Sequence, residues 1–254
     1  MLLALDTSTS FASIALVSDE RPLASFDWYV GQRHSTELFT RLTWLLDSCS
    51  VAADALERIA VATGPGSFNG LRVALATAKS LAFALHRPLY AVPTLDVFAW
   101  GAAFASQPVW ALLEAGRGQV YAAAYPTPCA TPATWKPLDG YHVVTPAEVA
   151  ARVSEPVLFC GEWRDDTKIT LERLLGARAR FAPSLTSGRA ARLAMLAQGR
   201  AAAGVAPDDP AALEPLYIRR PAITASAKAP IRLGDHAQHH QTNGGEEATH
   251  ALHH

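Results

Sequence analysis

Cysteine, lysine and net charge are all scarce in this sequence, and each scarcity closes off a class of function. Three cysteines, Cys49, Cys129 and Cys160, lie far apart in a chain of 254 residues, with no Cys-x-x-Cys pair and no zinc-ligand spacing. They read as reduced, mostly buried thiols, which argues against a disulfide framework and for a cytoplasmic protein. Lysine occurs four times against eighteen arginines, and 22 basic residues balance 23 acidic ones to a formal charge of −1. Nucleic acid and anionic membranes are gripped by concentrated positive surface, so the chain is not expected to bind either unaided. No apolar run reaches the ~18 residues of a membrane span. The opening Met1–Asp6 lacks a basic stretch and meets an acid almost at once, unlike a signal peptide.

Apolar residues, by contrast, make up half of the chain. A globular chain of this size buries roughly 70–75% of its unfolded surface, so a substantial core is expected. Leu2–Leu5, Phe11–Val17 and Leu23–Val30 are apolar or β-compatible runs separated by turn residues, which predicts three strands in an antiparallel meander. The period then changes. Leu38, Leu42, Leu45 and Cys49 recur at helical spacing after Ser35, a candidate N-cap. A strand at Arg58–Thr63, a helix over Leu71–Leu85, a strand at Pro88–Val92 and a helix from Thr94 follow. This βββαβαβα order is the core of a ribonuclease-H-like lobe, which actin-like ATPases use in duplicate.

Beyond Pro108 the expected strands are Val109–Glu114, Gln119–Tyr125, Tyr141–Val144 and Val157–Cys160, with helices from Thr145, near Thr167–Leu175 and near Ser187–Gln198. The expected layout is an N-terminal lobe at 1–105, a degenerate second α/β lobe at 106–221 and a disordered tail at 222–254. That tail is rich in histidine (His236, His239, His240, His250, His253, His254) without ligand spacing.

Two segments invite chemistry. Asp6-Thr7-Ser8-Thr9 ends the first strand, where open α/β sheets place ligands. In an actin-like ATPase an Asp there holds a metal-bound water; an Asx or Ser turn between strands is the plainer reading. The second segment is Gly64-Pro65-Gly66-Ser67-Phe68-Asn69-Gly70-Leu71-Arg72, between strand and helix. Its glycines leave room for an anion at the helix N-terminus or for tight packing, and these stand about even. It is not a Walker A loop, because Leu71-Arg72 stands where Gly-Lys-Ser/Thr is required. A carboxylate pair of Asp6 with Glu114 has no motif to fix its distance, and His34-Ser35 lacks a third triad member.

Leu5-Asp6-Thr7-Ser8-Thr9, His34-Ser35 and the Gly64–Arg72 loop together resemble the TsaB (YeaZ) family of bacterial tRNA threonylcarbamoyladenosine biosynthesis proteins. Ala76–Ala82, Val92–Leu95, Gly118–Tyr121 and Glu214–Arg219 extend the resemblance. Asn69 stands where the family usually has Thr, and Arg117 is shifted by one position from the usual Asp-Ala-Arg. The resemblance implies a two-lobed actin-like fold without catalysis of its own. It implies a TsaD-type transferase subunit and a TsaE-type ATPase as partners, with tRNA reached only through the complex. It implies no metal or cofactor for this chain, leaving room for a nucleotide at the junction with the partner and for a homodimer. Asp6, Thr7, Ser8 and Thr9 are then a degenerate phosphate turn, and Gly64, Gly66, Ser67, Asn69, Gly70 and Arg72 the family's glycine-rich loop. By helical phase, His34, Leu38, Leu42, Leu71, Leu75 and Ala78 are expected at the partner interface, so that Leu75→Glu would break pairing without unfolding the chain. An autonomous actin-like ATPase or small-molecule kinase using Asp6 and the Gly64–Gly70 loop is the alternative.

Overall fold

The computed structural model describes residues 1–19, 21–31, 34–127, 131–183 and 187–218, with the backbone alone at 34–36. Cys129, Arg219, Arg220 and the expected disordered tail lie outside the described residues.

The first sheet is built from β1 (Leu2–Asp6), β2 (Phe11–Ser18), β3 (Arg21–Tyr29), β4 (Arg58–Ala62) and β5 (Leu89–Val92), in the order β3-β2-β1-β4-β5. β1 pairs antiparallel with β2 and parallel with β4, and β4 pairs parallel with β5. This is the mixed sheet of the ribonuclease-H-like lobe expected from the sequence. β1 is buried along its whole length because both faces of the sheet are covered. Leu3, Leu5, Ile14, Leu16, Ile59 and Val61 face α1 (His34–Ser48) and α2 (Phe68–Leu85). Ala4, Ala15, Ala60 and Ala62 face the other way. Their small side chains let α6 (Arg189–Ala202) lie close, through Ala190, Ala194 and Ala197.

The second sheet contains β6 (Val109–Gly116), β7 (Gln119–Tyr125), β8 (His142–Val144), β9 (Val157–Glu162) and β10 (Ala179–Phe181), in the order β10-β9-β6-β7-β8. It repeats the pattern of the first: an antiparallel β6-β7-β8 meander with β9 parallel to β6. α4 (Pro146–Ala151) and α5 (Asp165–Leu175) cover its outer face. α4 opens with a capping box between Thr145 and Glu148, as the Thr-Pro start suggested. The inner face, with Val109, Ala111, Leu113 and Tyr125, meets α3 (Thr94–Trp100), every residue of which is buried.

Two placements differ from the sequence reading. β10 is only three residues long and carries no readable alternation. More consequential, the chain after 187 does not stay with the second lobe. α6 packs on β1 and β2. Beyond it, Asp208 bridges to Leu89, the Leu216 amide donates to the Thr63 carbonyl at 2.8 Å, and Lys79 Nζ donates to the Leu213 carbonyl at 2.7 Å. The second lobe therefore ends near Phe181 and not at 221, because the alanine face of α6 fits the alanine face of the first sheet.

Candidate functional site

Asp6 closes β1 and is fully buried. One carboxylate oxygen, Oδ1, accepts from the Ser8 amide (2.9 Å) and from Ser8 Oγ (2.5 Å), the Asx-type turn that this sequence permits. Thr7 Oγ1 donates to the Gly70 carbonyl at 2.6 Å, and the Ser67 amide donates to the Ser8 carbonyl at 2.6 Å. The phosphate-type turn and the glycine-rich loop are thus packed directly against each other. A Cβ on Gly66 would stand 2.1 Å from the Ser8 carbonyl oxygen, so that glycine serves close packing. Gly64, at φ +108°, lies against Leu71 and the Leu216 carbonyl. Ser67 caps α2 by accepting from the Gly70 amide at 3.2 Å. Asn69 and Arg72 are exposed; the Arg72 guanidinium lies 5.2 Å over the Phe68 ring, which stacks on Tyr217.

The residue that decides what the turn can do is Arg189, the first of α6, which the sequence reading missed. Its side chain is wholly buried and its Nε donates to Asp6 Oδ2 at 3.0 Å. Nη1 donates to Thr9 Oγ1 (2.8 Å) and to Glu162 Oε1 (2.7 Å), and Nη2 donates to the Phe11 carbonyl. Glu162, at the end of β9, is the acid that faces Asp6 across the lobes. Glu114 is not: it accepts from the Arg164 amide and Thr167 Oγ1, anchoring α5 within the second lobe. The one sequence signal for Arg189 is that a cation in the first turn of a helix opposes the macrodipole and needs a reason to be there. Ser13 and Asp27 satisfy that helix start instead, accepting from the Ala190 and Gly188 amides.

These contacts do not fit the metal and nucleotide of an actin-like ATPase. Both Asp6 oxygens are engaged, Oδ1 by Ser8 and Oδ2 by the Arg189 guanidinium, and the Gly66 backbone closes on Ser8. Burial holds the Glu162 carboxyl above its ordinary value, and the attraction of Arg189 with the Thr9 hydrogen bond offsets this only in part. A carboxyl raised on folding makes the native state bind more protons, so its contribution falls as pH rises from the ordinary glutamate range through the raised value. Glu162→Gln has no such titration. Its deficit relative to wild type is therefore expected to shrink as pH rises across that window, read as urea midpoints; a deficit that grows would contradict the assignment.

The expected partner residues are placed differently. Leu38, Leu42, Leu71, Leu75 and Ala78 are buried beneath the lobe's own sheet, at 4% exposure or less. They are core, and Leu75→Glu is expected to unfold the lobe. Periodicity does not separate the core stripe of α2 from its outer one, because the helix is apolar on nearly all sides. Its outer stripe is Arg72, Ala76, Ser80 and Phe83; on α1, which packs against α2, Phe39 and Trp44 are exposed, Trp44 standing edge-on to Phe26 of β3. Phe83 is 79% exposed and Phe39 71%. The side chain of His34 lies outside the described residues.

Fold and site together define a two-lobed α/β protein of the actin-like ATPase architecture in which an internal arginine is buried on the acidic turn that ends β1. A family model described as "TsaD: tRNA N6-adenosine threonylcarbamoyltransferase" matches residues 29–150. The chain is 30% identical over 211 residues to the tRNA threonylcarbamoyladenosine biosynthesis protein TsaB of Bacillus subtilis, covering 82% of this chain and 92% of that one. To the TsaB of Escherichia coli it is 31% identical over 126 residues, 49% of this chain and 54% of that one. The solved structure of YeaZ from Pseudomonas aeruginosa superposes with a TM-score of 0.71 at 30% identity, covering 85% of this chain and 99% of that one. The chain belongs to the TsaB family.

Proposed function

We propose that this chain serves tRNA threonylcarbamoyladenosine biosynthesis as a non-catalytic subunit that pairs with a TsaD-type transferase and works with a TsaE-type ATPase. Its family and the name of its Bacillus subtilis relative support the pathway. The observation that carries the non-catalytic part is Arg189, buried on Asp6 and Glu162 where an ATPase of this fold needs an open acidic turn. This speaks against the autonomous ATPase or kinase. Any nucleotide used by the assembly belongs at the subunit junction. Pairing is assigned to the outer faces of α1 and α2, where Phe39 and Phe83 are exposed. Exposed aromatics of this kind anchor interfaces. The same face is open to a second copy of this chain when the partner is absent. tRNA contact is made by the assembly, in keeping with a net charge of −1. No described helix is long and apolar enough to cross a membrane, and the proposed place of work is the cytoplasm. The test is reconstituted threonylcarbamoyl transfer to tRNA with and without this chain.

A further inference from the structure

Two-lobed folds with a cleft ordinarily move about a hinge and close on a ligand. In this chain the lobes are joined by more than a hinge. One hydrophobic cluster runs without interruption from the first sheet (Leu2, Ala4, Val17) through α3 and α6 to the second (Val109, Ala111, Tyr125). At each end of α6 a buried polar cluster crosses the same junction. At the N-terminal end, Arg189 joins Asp6, Thr9 and Phe11 of the first lobe to Glu162 of the second. At the other end, Arg200 Nη1 donates to the Ala91 carbonyl of β5 (2.5 Å) and Nη2 to Asp96 Oδ2 (3.2 Å). The second lobe binds that aspartate too: Tyr125 and Tyr141 donate their hydroxyls to Asp96 Oδ1 at 2.8 and 2.7 Å.

We infer that α6 is a two-point brace whose end clusters, Arg189 with Glu162 and Arg200 with the Asp96 that Tyr125 and Tyr141 bind, hold the lobes at one fixed angle without any ligand, so that this chain has exchanged cleft closure for a single rigid conformation. The two arginines stand roughly 16 Å apart along the helix axis. Two separated attachment points resist rotation as well as opening, which one cannot. Opening at the Arg189 end would take from Glu162 its two donors, Arg189 and Thr9, while Arg189 stayed on Asp6. Opening at the Arg200 end would leave a buried carboxylate without its hydroxyl donors. Burial raises the Asp96 carboxyl, with the Tyr141 and Tyr125 hydrogen bonds and Arg200 acting against that rise, so this acid depends on its donors. The inference concerns the chain alone and stands or falls apart from the identity of its partners.

The test is a single-molecule distance measurement on the full chain. Fluorophores are attached through an unnatural amino acid at Asp47 on α1 and at Arg173 on α5, both exposed and in different lobes. The native chain is expected to give one narrow distance distribution that millimolar MgATP does not move. A broad or two-peaked distribution, or a shift with MgATP, would overturn the inference. The double variant Glu162→Ala/Tyr141→Phe removes a cross-lobe contact at each end of α6 and leaves the Arg189–Asp6 pair in place. It is expected to widen the distribution by about two-fold or more while far-UV circular dichroism stays native. A native-like fold with an unchanged width would remove the two polar clusters from their bracing role. Should the double variant not fold, Tyr141→Phe and Glu162→Gln, each deleting one cross-lobe contact, are read in the same way.

Discussion

Arg189→Met is expected to destabilise the protein by about 3–5 kcal/mol, the usual consequence of stranding a buried charge by deleting its partner. Asp6 has no solvent to turn to, and Thr9, Glu162 and the Phe11 carbonyl lose a donor at the same moment. For a domain whose whole stability is ~5–15 kcal/mol, that loss leaves a marginal fold. The double variant Asp6→Asn/Arg189→Met should recover a large part of it. The amide still accepts from Ser8, and the Asp6 charge no longer needs neutralising. Urea denaturation of the two singles and the double gives the coupling directly. An Arg189→Met variant within about 1 kcal/mol of wild type would mean the guanidinium is not the counter-charge of the turn, since ordinary surface changes stay below that size.

The second large effect is on association. Phe83→Asp and Phe39→Asp remove aromatic rings that are mostly solvent-exposed in the free chain, so folding stability should change by no more than about 0.5 kcal/mol. Partner affinity should fall much further. A central aromatic anchor is worth about 2 kcal/mol or more at an interface, roughly a thirty-fold weaker complex with the TsaD-type subunit. Titration calorimetry of the folded variants against that subunit reads this out. Leu75→Glu is the contrasting control, with the charge placed in the core and loss of folding expected. If both aromatic variants bind as wild type, the partner face lies elsewhere on the chain.

Much of this architecture was legible in the residues. The run Leu2–Leu5 declared a strand covered on both faces, and the alternation of leucine with alanine in β1 and β2 now explains which side takes α6. The change from period two to period 3.6 after residue 34 placed α1, and Thr145 marked a true helix start, whereas α2 begins at Phe68, ahead of the expected Leu71, because Ser67 caps it. What was not legible has physical reasons. A three-residue strand such as β10 is too short to show a period. α2 is apolar nearly all round, so periodicity could not tell its core stripe from its outer one. Leucine spacing pointed to Leu71, Leu75 and Ala78, which are the core.

The site shows the same division. The turn and the glycine loop were recognisable as local motifs, but what fills them comes from 183 residues away in sequence. Long-range complementarity between one aspartate and one arginine leaves no periodic trace. By residue type Gly66 suits anion binding and packing equally; the Ser8 carbonyl against it gives it a packing role. Its contact and that of Arg189 join the turn, the glycine loop and α6.

The measurement that bears most directly on the account is threonylcarbamoyl transfer to tRNA, reconstituted from the TsaD-type and TsaE-type subunits with and without this chain. The account predicts that transfer depends on this chain and that the isolated chain neither transfers the group nor turns over MgATP. Transfer that proceeds equally well in its absence, or MgATP turnover by the chain alone, would contradict it.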